Sequence, residues 1–266
     1  MISLKKTAKP EILRENEVKW TREWLDYVQR GEKMPDWIVK RYRLPIIKEA
    51  LLKETQHKCA YCESKLTHTD YGDIEHIEPK SKVPSKTFSW ENLTIACRRC
   101  NQSKGDYHCP QMPLLNPFTD KPEKQIIFLG PIPVPEPGND RAKLTIRRLK
   151  LDRAELIERR QEHITQRMMP LIEFYMRTTN LPLRQEIYKD IMALKNKEME
   201  FSSMCSQTIK RLILPAVRGK PSAKRKRSEN RGPSDDEDDD RATENMKCHC
   251  IMYEVSQFFL ADLFSF

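Results

Sequence analysis

Two C-x2-C pairs, Cys59/Cys62 and Cys97/Cys100, bracket the adjacent residues Glu75 and His76, and Asn101 follows the last cysteine directly. Each pair lets two thiolates reach one ion from a tight turn, and four thiolates complete the closed tetrahedral shell that structural zinc prefers. Residues 63–96 separate the pairs, so the metal knuckle carries an insert, and the insert holds Glu75 and His76. The imidazole of His76 can take a proton near neutral pH. Glu75 is a hard oxygen donor suited to Mg²⁺ or Mn²⁺, and Asn101 offers a neutral carbonyl oxygen to the same ion. Lys104 lies one helical turn beyond Asn101 and can project on the same side toward a phosphate, with Lys80 a second cation for that contact. A base, a divalent cation and positive groups on the phosphate are what phosphodiester hydrolysis requires.

The arrangement sets a geometric condition. Neighbours in a regular strand point to opposite faces, so Glu75 and His76 serve one site only at a strand end or an irregularity. Pro79 favours a strand that stops nearby. Asp73 shares a face with Glu75 and is the reserve metal ligand. Asn92, in Trp90-Glu91-Asn92-Leu93, has an amide that can tie a loop together. Two disulfides are the competing reading of the cysteine pairs, disfavoured where no secretory leader is seen. Cys109, Cys205, Cys248 and Cys250 lack a comparable pattern, although Cys248-His249-Cys250 has the donors for a metal. His57, His68 and His108 are expected at the surface.

The elements that must position these residues follow from periodicity. Residues 11–30 read as an amphipathic helix whose Trp20, Trp24, Tyr27 and Val28 form a packing face. Pro45 opens a second helix, with Ile46, Ile47, Ala50 and Leu51 inward, that delivers the chain to Cys59. Residues 73–78 and 93–96 suit short strands, and 98–105 suit a short helix ending at Gly105. The proline-rich stretch 110–138 reads as an irregular crossing segment. Residues 140–178 and 183–213 read as helices.

The net charge is +9 over 266 residues. Residues 218–266 hold 9 basic and 10 acidic side chains, so the excess, +10, lies in residues 1–217 with the candidate site. A phosphate-binding surface needs that distribution. No uncharged apolar run is long enough for a membrane span, and the Lys-rich start lacks the apolar core of a leader. The expected compartment is the cytoplasm, or the nucleus in a eukaryotic host; Lys224-Arg-Lys-Arg227 reads by default as part of a solvated tail, with a nucleic-acid contact or a nuclear signal as the alternatives. Residues 218–247 read as a disordered charged linker and 248–266 as an apolar tail without an assigned role.

Four stretches carry a resemblance: Cys59-Ala-Tyr-Cys62-Glu63, Asp73-Ile-Glu75-His76-Ile-Glu-Pro79-Lys80-Ser81, Trp90-Glu-Asn92-Leu93, and Ala96-Cys97-Arg-Arg-Cys100-Asn101-Gln-Ser-Lys104-Gly105. Together they resemble HNH nucleases of the ββα-metal type, and more narrowly the PtuB-like HNH proteins of Septu antiphage systems and some retron operons. Leu114-Leu-Asn116-Pro117 and the run from Ala142 to Arg153 resemble later landmarks of that family. The resemblance implies His76 as general base, Glu75 and Asn101 as catalytic metal ligands, and Asn92 as a loop-positioning residue. It also implies an ABC-type or SMC-like ATPase partner and a nucleic-acid substrate, DNA favoured over RNA. One departure is His76-Ile77-Glu78-Pro79, where the family often reads His-Phe-Arg-Pro, which puts an acid at an expected basic contact. The tail beyond Val217 matches nothing in the family.

The expected fold is mainly α, with a small ββα-metal core stabilised by a four-cysteine zinc site and helical flanks. The expected divisions are 1–58, an N-terminal helical segment; 59–109, the nuclease core; 110–217, a C-terminal helical region; and the linker and tail. The competing function is a non-catalytic zinc module that binds nucleic acid or docks on an ATPase.

Overall fold

In a computed structural model the described residues are 1–66 and 71–212. His68, the charged linker, the apolar tail, Cys248 and Cys250 lie outside them. The fold is mostly helical, with two small antiparallel two-stranded sheets.

Helix α1, Glu11–Arg30, follows Pro10 and ends at Gly31, whose left-handed φ of 65° lets its N–H reach back to Tyr27 and Val28. Trp20 and Trp24 are buried on its inner face, whereas Val28, expected inward, is about half exposed. A short helix α2, Asp36–Val39, and a 3₁₀ turn, Arg41–Arg43, lead to α3, Pro45–Glu54. Ile47 and Leu51 of α3 are buried, but Ile46 is exposed. A stripe four residues apart fills the helix–core contact, which leaves its neighbour facing water.

Strand β1, Asp73–His76, pairs antiparallel with β2, Leu93–Ala96, with Glu75 opposite Thr94 and His76 opposite Leu93. The strand expected over 73–78 stops at His76. Beyond it, the Glu78 N–H is taken by the side-chain oxygen of Asn92 at 2.8 Å instead of by the ladder. Gly72 enters β1 with φ +66°, and a Cβ there would stand 2.9 Å from both Ile95 and Leu66. Helix α4, Arg98–Lys104, is capped by the Cys97 sulfur, which accepts from the Cys100 N–H. These three elements form the ββα unit.

The segment expected to be irregular contains α5, Pro122–Gln125, and a hairpin of β3, Ile126–Leu129, with β4, Ile132–Pro135. Its prolines hid it. Pro133 and Pro135 sit in a strand paired on one side only, where a missing N–H costs no ladder bond.

The helices expected over 140–178 and 183–213 are each interrupted. Helix α6, Asp140–Leu149, ends where Lys150 adopts a left-handed φ of 48°. Helix α7, Ala154–His163, passes through a π-helical turn, Ile164–Met168, into α8, Met169–Arg177, which has proline in its first turn. Pro170 has no N–H for the preceding turn, and the widened turn accommodates that loss. Helix α9 is Leu181–Ala193 and α10 is Ser202–Leu212.

One apolar core joins Leu13 of α1 to Ile209 of α10 through Phe88, Trp90, Ile95 and Leu149. The buried Glu63 carboxylate, just after the first cysteine pair, accepts from the Ser202 hydroxyl and the Ser203 N–H, which ties the knuckle to the start of α10. At the other end, the Trp90 indole donates to Thr7 O at 2.9 Å and the Lys6 ammonium lies 4.0 Å over the same ring.

Candidate active site

Cys59, Cys62, Cys97 and Cys100 converge from two chain segments, their four sulfurs all within 4.8 Å of one another. Cys62 and Cys97 are 3.8 Å apart at sulfur. A tetrahedron with Zn–S bonds of about 2.3 Å has an edge of about 3.8 Å, so the cluster has the geometry to hold a zinc ion. Its electrostatics favour one too. Burial pushes the Cys59 thiol well up, while hydrogen bonds from its neighbours hold Cys62 well down. Four buried thiols cannot all ionise without a cation among them. A guanidinium nitrogen of Arg153 stands 3.8 Å from Cys100 Sγ and adds positive charge at the rim.

His76 closes β1 with only about 5% of its surface exposed. Its Nε2 lies 2.9 Å from Thr87 O. A carbonyl only accepts, so Nε2 carries the proton and Nδ1 keeps its lone pair. Burial pushes the imidazole down to about 4, against the smaller opposite effect of the Thr87 bond, so it is neutral at pH 7. Tyr42 meets the ring edge-on at 4.8 Å. Phe88, next to Thr87, is held edge-on by Trp20 at 5.6 Å and Trp24 at 5.7 Å. Helix α1 therefore positions the loop whose carbonyl orients the imidazole.

Asn92 organises that loop. Its amide oxygen accepts from Glu78 N–H, and its nitrogen donates to Glu78 O at 3.0 Å and Lys86 O at 3.1 Å. The backbone carbonyl of Lys86 immediately precedes Thr87.

On the face of β1 toward α4, the Asn101 nitrogen donates to Asp73 Oδ2 at 3.2 Å, leaving the amide oxygen for another partner. Glu75 is buried, and Lys104 Nζ stands 2.5 Å from its Oε1. Burial pushes the Glu75 carboxyl up, with the Lys104 charge opposing. Lys104 also donates to His76 O at 2.8 Å. It is thus a buried brace between α4 and β1, where the sequence suggested a cation reaching outward. Lys80 is half-buried at the rim, 5.7 Å over the Tyr42 ring.

Asp73, Glu75, His76, Lys80, Asn101 and Lys104 all line one cleft of about 900 Å³. Asp73, Ile74, Glu75 and His76 all line it, and among the described residues β1 pairs with β2 alone. Asn92 stays behind the cleft wall, within the loop. The opposite wall comes from the N-terminal segment, including Met34, Tyr42, Arg43 and Lys48. Sequence reading assigned those helices to packing. The basic pair near Tyr42 was the available signal, and its distance along the chain concealed it.

The oxygen donors of Asp73, Glu75 and Asn101 suit a hard divalent cation. Such a cation, a neutral imidazole and flanking basic groups can together activate water against a phosphodiester.

Residues 59–107 match the family model described as HNH endonuclease. The chain is 36% identical over 127 residues to Septu protein PtuB of Bacillus thuringiensis, covering 47% of this chain and 46% of that protein. It is 30% identical over 151 residues to Septu protein PtuB of Bacillus mycoides, covering 45% and 51%. A 49-residue stretch is 45% identical to part of the CRISPR-associated endonuclease Cas9 of Corynebacterium diphtheriae, covering 18% of this chain and 4% of that protein. The chain spans about half the length of the Septu relatives it matches. Residues 59–107, which supply much of the cleft's lining, thus form an HNH endonuclease domain, in a chain that resembles Septu protein PtuB.

Proposed function

We propose that this protein is an HNH endonuclease that hydrolyses phosphodiester bonds in nucleic acid, DNA before RNA, as the effector of an antiphage defence complex. The observation that carries this reading is the state of His76: a buried neutral imidazole, fixed by Thr87 O, sharing a cleft with three oxygen donors. A module that only bound nucleic acid would gain nothing from burying an unprotonated base beside carboxylates.

In the proposed reaction, His76 Nδ1 accepts a proton from water as the oxygen attacks phosphorus. The Thr87 carbonyl holds Nε2–H and stabilises the imidazolium that forms. Asp73, Glu75 and Asn101 would hold the divalent ion, Mg²⁺ or Mn²⁺. When bound, that ion supplies positive charge to the phosphate and the departing oxygen. Lys80, Arg43 and Lys48 set the substrate backbone against the cleft. Zinc bound by the four cysteines would fix the start of α4 and hence the backbone of Asn101.

An ABC-type or SMC-like ATPase partner is part of this proposal, from the resemblance to the PtuB-like family, and so is a cytoplasmic place of action. No helix among the described residues is long and apolar enough to cross a membrane. Incubating the full chain with single- and double-stranded DNA and RNA, with and without Mg²⁺ or Mn²⁺, tests the class. Cleavage that needs the added ion is expected. Tight binding with no cleavage under any of these conditions would favour the binding-module reading.

A further inference from the structure

The catalytic cleft is not the only basic hollow around α4. A second recess of about 340 Å³ lies beside it, lined by Arg99, Gln102, Ser103, Lys150, Arg153 and Glu155. Gln102 also lines the catalytic cleft, so the two hollows meet at one side chain. Three cations face a single acid there. Among the described residues neither Arg99 nor Lys150 has an ion-pair partner, and both are exposed. A third hollow lies on α6, the helix that Lys150 ends, and there Lys143, Arg147 and Arg148 outnumber Asp140.

We propose that the nucleic-acid strand leaves the catalytic cleft over Gln102 and binds by its phosphate backbone in the recess of Arg99, Lys150 and Arg153. This rests on the cleft being the cleavage site. Helix α4 would then act on both of its sides, with Asn101 and Lys104 toward the reaction and Arg99 and Gln102 toward the outgoing strand.

The local backbone suits a fixed phosphate contact. Lys150 is the left-handed end of α6, held by Leu151 N–H to Ile146 O at 2.9 Å, and its own carbonyl accepts from Arg153 at 3.0 Å. The side chain of Lys150 therefore leaves a rigid corner rather than a loose loop. Arg153 faces the thiolate cluster and the recess together. The recess is a backbone reader by composition: it has guanidinium and ammonium groups and no aromatic ring for a base. The recess and the cleft lie on opposite sides of α4, so substrates too short to cross that helix, about 10 Å with its side chains, should not sense the recess.

The test uses the full chain carrying His76→Ala, without added divalent ions, so that binding is read without cleavage. Fluorescence anisotropy with labelled 20-nucleotide single strands and 20-bp duplexes is measured across a salt series. The variants are Arg99→Gln/Lys150→Asn, in which asparagine tolerates the left-handed backbone, and Arg99→Glu alone, at an exposed helix position. The control is Lys189→Gln/Lys210→Gln, which removes two exposed cations far along the chain in α9 and α10. Loss of two phosphate contacts should weaken binding by ~10-fold or more at moderate salt. It should also reduce the salt slope by about 1.4 on single strands or about 1.8 on duplex. Arg99→Glu should weaken binding in the same direction.

If the double variant matches the control in affinity and slope, the path is wrong, even if the wild-type chain cleaves nucleic acid. If the recess variants lose binding while wild type cleaves nothing, the recess stands as a backbone-binding site and the catalytic reading fails. Failure of the His76→Ala chain to bind either nucleic acid would overturn the path.

Discussion

Asn92→Asp is nearly isosteric and removes two donated hydrogen bonds from the centre of the loop that orients His76. In the native protein the Asn92 nitrogen serves Glu78 O and Lys86 O while its oxygen serves Glu78 N–H. The side chain is almost wholly buried, so water does not replace these partners. An ionised aspartate keeps the contact to Glu78 N–H but sets a negative oxygen against two carbonyls. Two lost bonds at about 0.5–1.5 kcal/mol each, with two carbonyls left unsatisfied at about 1 kcal/mol or more each, give a loss of about 3–5 kcal/mol. At roughly 2–4 °C per kcal/mol for a chain of this size, the melting temperature should fall by about 6–20 °C. The Thr87 carbonyl follows the freed Lys86 carbonyl directly, so activity should drop even at temperatures where the variant is folded. Differential scanning calorimetry and urea denaturation measure the first effect, and cleavage at low temperature measures the second. Lowering the pH should recover part of the stability, because a protonated aspartic acid can donate one bond again. A loss below about 1 kcal/mol, or full activity in a destabilised variant, would refute the role given to this amide.

Cys97→Ser should release zinc and unfold the ββα unit, read by elemental analysis and near-ultraviolet circular dichroism, because it removes a metal ligand that a serine hydroxyl does not replace, even though that hydroxyl can still cap α4. Lys104→Met leaves the Glu75 carboxylate buried without its counter-charge and should cost about 3–5 kcal/mol in buffer free of added divalent ions. Addition of Mn²⁺ should recover more stability in that variant than in wild type, because the ion would replace the lost charge beside Glu75; equal stabilisation of both would contradict Glu75 as a ligand. His163 is buried against Phe201, and burial holds its imidazole below the ordinary 6.5. The unfolded chain therefore binds the proton more readily, so stability is full above about pH 6.5 and is lost as pH falls below it. His163→Leu should flatten this decline in urea denaturation between pH 7 and pH 5, with the remainder owed in part to His76.

What the sequence discloses about this site depends on how far apart the cooperating residues lie in the chain. The cysteine pairs, Glu75, His76 and Asn101 are legible because each works through its own side chain within a short motif of fixed spacing. Thr87 was invisible because it acts through a backbone carbonyl, which any residue supplies. Tyr42 and Arg43 reach the cleft from a turn separated from β1 by the whole of α3, Lys48 from α3 itself, and only tertiary packing brings them there. Lys104 was readable as a cation near Asn101, but its burial against Glu75 depends on how closely α4 packs on β1. Periodicity found the helices and missed their interruptions at Lys150 and before Pro170, where local backbone geometry overrides an apolar pattern that runs on through the break. The β3–β4 hairpin was lost to its prolines, which mark an edge strand as readily as a loop.

The central claim is that His76 is the base of a metal-assisted hydrolysis in this cleft. Single-turnover cleavage by wild type and His76→Ala, at saturating Mn²⁺ and with zinc content and melting temperature matched, tests it most directly. The account predicts a rate at least ~10²-fold lower for His76→Ala, with the protein still folded, zinc-loaded and able to bind nucleic acid. A rate within a few-fold of wild type would contradict it.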